Sequence, residues 1–362
     1  MTALLPHRPL LPRPLPERPP RARRRFSGLG TPLLRALSLL TLCAATSGAH
    51  AQAGSWNEVL ARAKQEGKVV LYTAGLAPTL PIIVQEFSKA TGIKVEGQAV
   101  NAGPQRQRIG QSVQARQIQV DVLINNDTPF LDELRQANAL QDLGKLPNKA
   151  KFPKEWWPGA WPLVGSFTHV VMVNTKYVDP KSIKSWNDIL VPKYRDKVVS
   201  LSTSSGLGAL TFYANLVDNQ GPDVMRRLGD MKPALVATTA EGSQLISAGE
   251  KWIFTTNVSY NTVPLAAKGA PVADVYLPPV SVVPYAAVAL KGPNPNAALL
   301  LVNWLVGREG QQAICGEQRL TCSMAGIPGS LPLHKNHKVY DPAEVAKRQD
   351  ALIALFNHTM RK

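Results

Sequence analysis

From residue 55 onward the chain passes again and again from a short apolar run, through small residues, into a stretch with apolar positions three and four apart. This is the sequence form of a strand, a turn and a helix. Residues 55–66 predict a helix capped by Ser55 with Val59, Leu60 and Ala63 on one face, and 68–72 a buried strand. A small-residue turn at Thr73, Ala74 and Gly75 leads to a helix over 78–90 carrying Leu80, Ile83, Val84 and Phe87. The alternation continues with strands at 93–96 and 120–124 and helices at 104–115 and 129–137. Strands alternating with helices call for a parallel-type sheet covered on both faces. In such sheets ligands sit at the carboxyl ends of strands, so Tyr72, Thr73, Ala74, Asn125, Asn126 and Asp127 are expected to face one crevice.

A Pro- and Trp-rich connection over 145–162 separates this series from a second one. The strand at 167–174, which includes His169, is long enough to cross between lobes. Strands then follow at 198–201, 234–238 and 252–256, with helices at 207–217, 222–228, 241–248 and 263–267. A second long strand at 283–290 leads to a helix at 297–306, and a final helix spans 342–360 with Val345, Leu352, Ile353 and Phe356 on one side. The expected architecture is therefore α/β with two lobes, two hinge-crossing strands and a cleft between them. The expected boundaries are 52–168 for the first part of lobe 1, 169–285 for lobe 2, and 286–362 for the return to lobe 1 and the C-terminal helix. At 201–217, Ser204, Ser205 and Gly206 stand between a strand and a helix, where unpaired N–H groups and the helix dipole form an anion site. The alternative is that these residues only cap the helix.

The formal net charge of +16 suggests nucleic acid until it is divided along the chain. Eight Arg and one Glu precede Gln52; removing them from 41 basic and 25 acidic residues leaves 33 and 24, a net of +9. Those charges stand singly, with no basic run or aromatic interleaving, which argues against nucleic-acid binding. Residues 1–51 have the form of an export signal: Arg21, Arg23, Arg24 and Arg25, then an apolar stretch over 33–45, then Ala49-His50-Ala51 as a cleavage site. The apolar run is too short to span a bilayer. Arg23-Arg24 also permits a twin-arginine route. With Cys43 removed in the leader, Cys315 and Cys322 remain, and in an oxidising compartment such a pair is expected to form a disulfide, two free buried thiols being the alternative.

At 185–198 the segment SWNDILVPKYRDKV resembles the S-W-x-D-L-x-x-P-K-Y-x-x-K-[IV] signature of bacterial family 1 extracellular solute-binding proteins, the ferric-iron-binding and related group of ABC-transporter receptors. LYTAG at 71–75, TGIKV at 91–95, DVL at 121–123, KGPNPNAA at 291–298 and EGQQAI at 309–314 extend the resemblance over nearly all of the chain after the leader. The resemblance implies a type II periplasmic-binding-protein fold and a monomeric periplasmic receptor, without cofactor, that closes on a small solute and delivers it to an inner-membrane ABC permease. It implies ligand contacts at Tyr72, Thr73, Ala74, Asn125, Asn126, Asp127, Ser204, Ser205, Gly206 and around Tyr260. Ferric-binding members hold the metal with two adjacent tyrosines; here the pair is Ser259-Tyr260, so a ferric ligand at Tyr260 needs help from Tyr72, His169, Asp127 or Tyr285. Members that take phosphonates or sugar phosphates use the helix start matching Ser204 to Gly206.

The rival from another class is an exported hydrolase using Ser204 and His169. The sequence has no G-x-S-x-G, no H-E-x-x-H and no S-x-x-K near S-D-N, and no Asp is placed to orient His169. His334 and His337 have metal-like spacing but lie in a Pro- and Lys-rich segment expected to be a solvated turn. The expectation is a receptor with no chemistry of its own.

Overall fold

The computed structural model describes residues 55–361; the expected leader, with its expected cleavage site and Cys43, lies outside the described residues. Among the described residues are ten strands: β1 (Lys68–Thr73), β2 (Lys94–Ala99), β3 (Val122–Asn125), β4 (Leu163–Asn174), β5 (Val198–Leu201), β6 (Ala234–Val236), β7 (Ile253–Val258), β8 (Val272–Val275), β9 (Val280–Ala289) and β10 (His337–Val339). The helices are α1 (Trp56–Glu66), α2 (Leu80–Thr91), α3 (Ala102–Gln114), α4 (Thr128–Gln136), α5 (Trp186–Ile189), α6 (Leu207–Gln220), α7 (Asp223–Asp230), α8 (Thr239–Ser247), α9 (Ser259–Ala267), α10 (Pro295–Leu305), α11 (Arg308–Cys315), α12 (Pro342–Lys347) and α13 (Gln349–Met360).

All strands join one mixed sheet in the order β2-β1-β3-β9-β4-β7-β5-β6, with β10 on β9 and β8 on β4. The parallel pairs β1–β2, β1–β3, β5–β7 and β5–β6 are the strand-helix-strand units that the hydrophobic rhythm predicts. Every residue of β3 and β5 is buried, so these strands show continuous apolar character rather than alternation. Between the two parallel portions run β4 and β9, antiparallel to each other. The far end of β9 pairs with β3 and the far end of β4 with β7 and β8, so each long strand belongs to both halves. The core divides accordingly. Phe87, Ile83, Leu71 and Leu301 anchor one cluster, and Tyr213, Leu228, Ile253 and Phe356 another.

Several elements differ from expectation. The helix expected at 263–267 begins at Ser259, because Pro264, which reads as a first-turn residue, sits inside α9 instead. The helix expected from 104 begins at Ala102, with Asn101 at its cap. The expected 342–360 helix is broken at Arg348, whose guanidinium grips Asp218 of α6 at 2.7 Å and 3.1 Å. Its second piece, α13, packs on α7 and α6 rather than on the elements of the first half. The expected turn at His334 and His337 ends in β10, a short strand parallel to β9. That segment carries the chain from α11 back to α12, a third passage between the halves beside β4 and β9. Cys315 and Cys322 form a disulfide with Cα atoms 5.4 Å apart, and Thr321 beside it bridges to Ser166 of β4.

Candidate functional site

Where the halves meet lies a half-open cavity of about 50 Å³, room for only about three or four waters. Its floor is Phe167 of β4, whose ring lies edge-on to His169 and Tyr260 and tilted against Tyr285. Four helices begin at its wall: the lining includes Ala102, Gly208, Thr239 and Tyr260, the first or second residues of α3, α6, α8 and α9. Ala74 and Gly75 come from the turn after β1, and Asn126 from the turn after β3. No Asp, Glu, Lys or Arg side chain lines the cavity.

Of the residues singled out in the sequence, Ala74, Asn126, His169, Ser205 and Tyr260 line this space, and Tyr285 joins them. His169 sits where β4 exchanges β9 for β7 as its partner, and its Nδ1 is 2.7 Å from Ser281 Oγ. Burial pushes its pKa down to about 3, so it is neutral. The Tyr260 and Tyr285 hydroxyls are 3.5 Å apart, and burial raises the pKa of both phenols. The Asn126 side chain is 6% exposed, and its carbonyl oxygen is buried without a hydrogen-bond partner.

The other expected residues are committed elsewhere. Thr73 Oγ1 donates to the Gly75 carbonyl at 2.7 Å. Asn125 donates to Gln105 Oε1 at 2.7 Å and accepts from the Asp127 N–H at 2.6 Å. Asp127 caps α4 through Phe130 N–H and pairs with Arg106 at 3.2 Å; burial raises its pKa in spite of that arginine. Tyr72 packs against the Leu123 and Phe130 cluster. Ser204 is exposed and bonded to Ser202. The N–H groups of Ser204, Ser205 and Gly206 are spent inside a tight turn on Ser202 and Thr203. The N–H groups of α6 without a protein partner among the described residues are instead those of Leu207 and Gly208, one step further along. Gly206, at φ 116°, is the residue that lets the chain swing from that turn into the helix. His169 and Ser204 are thus each bonded to a different serine, and no pair of the hydrolase kind is assembled.

Asn101, Ala102, Phe167, Gly208, Ala209 and Thr239 were not singled out by sequence. Five of them are small or cap-like residues at helix starts, where the signal lies in position rather than in the side chain, and Phe167 is an apolar residue inside β4. Among the described residues, no group of three or more His, Cys, Asp or Glu side chains could hold a metal ion. Nor is any helix there long and apolar enough to cross a membrane.

A family profile described as bacterial extracellular solute-binding protein matches residues 69–315. Solved structures with the same fold include iron-bound HitA from Pseudomonas aeruginosa, at 21% identity and TM-score 0.64, covering 81% of this chain and 99% of that one. AfuA from Actinobacillus pleuropneumoniae, a periplasmic binding protein with exogenous fructose-6-phosphate bound, matches at 17% identity and TM-score 0.69 over 82% and 99%. The substrate-binding protein of an ABC transporter from Agrobacterium tumefaciens matches at 14% identity and TM-score 0.71 over 82% and 96%.

Proposed function

The chain belongs to the bacterial extracellular solute-binding proteins, and on that premise we propose that it is the periplasmic receptor of an ABC importer, closing on a small anionic solute such as a phosphonate or organic phosphate. The observation that carries the anion is the convergence of four helix starts on a cavity with no charged side chain. Each helix start acts as roughly half a positive charge and favours a buried anion by about 1–2 kcal/mol, and four of them act together. A cation entering the same space would meet no carboxylate to offset its desolvation, which costs several kcal/mol. Hydroxyl and amide groups of Tyr260, Tyr285, Thr239 and Asn126 then fix orientation. In this reading the leader 1–51 is removed, the lobes divide at β4 and β9, and the receptor works as a monomer that presents its closed form to an inner-membrane permease.

A second reading, ferric iron, is favoured by one observation: the two phenols 3.5 Å apart are spaced so that both oxygens could ligate one hard cation. Binding would have to strip both protons against the burial that holds them.

One substitution separates the two. Asn126→Asp places a carboxylate in the cavity without changing its size. The anion reading expects binding of organic phosphates, followed by calorimetry, to fall at least tenfold, with the melting temperature raised. Stronger binding of ferric iron by the variant, with a tyrosinate charge-transfer colour, would overturn the anion reading. Mass spectrometry of solute retained through purification identifies the ligand directly.

A further inference from the structure

Asn101 occupies the cap position of α3, where an asparagine ordinarily turns its side chain back onto its own helix. Here it makes no such bond. Its amide nitrogen instead donates at 3.0 Å to Ser205 Oγ, before α6, and at 2.8 Å to the Ala237 carbonyl, before α8. Ser205 Oγ also donates to that carbonyl, at 3.1 Å. Asn101 follows β2 in the first half, and both its acceptors lie in the second, so the amide is spent across the cleft on the protein itself.

Two residues further on, α3 meets the start of α6 backbone to backbone. A methyl group on Gly103 would lie 2.8 Å from the Ser204 carbonyl oxygen, and one on Gly206 would lie 2.7 Å from the Gly103 nitrogen. Real Cβ atoms do not approach so closely, so this contact exists only because both positions lack side chains. Gly103 has no need of glycine for its own conformation: its φ is not positive, and it lies in the first turn of a helix, where alanine is the better helix former.

We propose that Asn101 and Gly103 form a clasp that holds the two halves shut independently of the solute: the amide stitches α3 to the segments preceding α6 and α8, and the glycine lets the backbones dock. Asn101 is a positioning residue in this role. The clasp sets how much of the receptor is closed before solute arrives, and therefore how tightly any solute is retained. The proposal rests on the hinge-closure reading above.

The test needs no ligand. Small-angle X-ray scattering of the mature chain measures the radius of gyration for wild type, Asn101→Ala, Gly103→Ala and Thr239→Trp, the last a wedge in the cavity wall that forces the halves apart wherever a hinge exists. The clasp predicts that Asn101→Ala lowers the ratio of closed to open molecules roughly tenfold, equivalent to about 1.4 kcal/mol, with a larger radius. Gly103→Ala is expected to open the molecule further while keeping or raising its melting temperature, since the methyl favours the helix and obstructs only closure. That pairing of an expanded radius with an undiminished melting point separates lost closure from lost folding. If Thr239→Trp expands the protein and the clasp variants do not, the clasp is overturned and the hinge stands. If none of the three expands it, both readings fail.

Discussion

Asp274 on β8 ends a chain of polar side chains that runs behind the cavity. Ser243 of α8 donates to Asn257 Oδ1 at 3.1 Å, Asn257 donates to the Thr262 hydroxyl at 2.9 Å, and that hydroxyl donates to Asp274. The network ties α8 to α9, two of the helices that open onto the cavity. No cation pairs with Asp274 among the described residues; burial pushes its pKa up to about 7 against the pull of Thr262 and Asn257. Because the folded value lies above that of the unfolded chain, the stability this group contributes is complete below about pH 4 and lost as pH rises through 7. Asp274→Asn is therefore expected to match wild type in stability near pH 4 and to be more stable, with a higher melting temperature, at pH 8, by about 1–2 kcal/mol once the partial exposure of the carboxylate is allowed for. A constant difference across that range in thermal melts would remove the titration from the account. None of this is visible in the sequence, where Asp274 is one acidic residue in a stretch assigned to no element. Asn101 is hidden for another reason: the helix reads as starting at Pro104, so its cap falls in a loop. Thr73, Asn125 and Asp127 stand at strand ends as expected, yet strand-end position does not decide whether a polar group faces the ligand or supports the turn, and these three support it.

At the scale of elements, the hydrophobic rhythm located both parallel portions of the sheet and both crossing strands, because their runs are mostly apolar even where Ser166, Thr168, His169 and Ser281 stand within them. What it could not locate were pieces held by pairing with a distant segment rather than by period. Residues 337–339 all fall on the exposed surface, and their pairing with β9 makes them a strand. The break at Arg348 follows from an ion pair with Asp218, which lies 130 positions earlier. Glycine records another contact that periodicity cannot express: Gly229 of α7 lies so close to α13 that a methyl group there would run into the Thr359 carbonyl oxygen. Gly229→Ala should favour α7 by about 1 kcal/mol in propensity yet displace α13. The expected outcome of limited proteolysis is faster cleavage at the C-terminus, with the first half unaffected; protection equal to wild type would mean that α13 yields at no cost.

The described residues form two halves joined by three passages of chain, and the largest hydrophobic cluster of each half, its main core, is assembled from distant parts of the sequence. The first takes β1 to β3 from residues before 126 and completes itself with α10 and α11, after 294. The second takes β5 to β7 from the middle of the chain and closes with Phe356 and Met360 of α13 against Tyr213 and Leu228. A chain ending at residue 341 should keep the first core and lose the lid of the second, so calorimetry is expected to show two separated transitions in place of one; a single unaltered transition would mean that α13 is dispensable. The docking of α13 on α6 and α7 also bears on synthesis. Polypeptides emerge N-terminus first at about 5–20 residues per second, and α13 follows in the chain every other element of the second core on which it packs. The second core therefore cannot be complete until residues 349–360 have been made, long after its strands β5 to β7 have emerged.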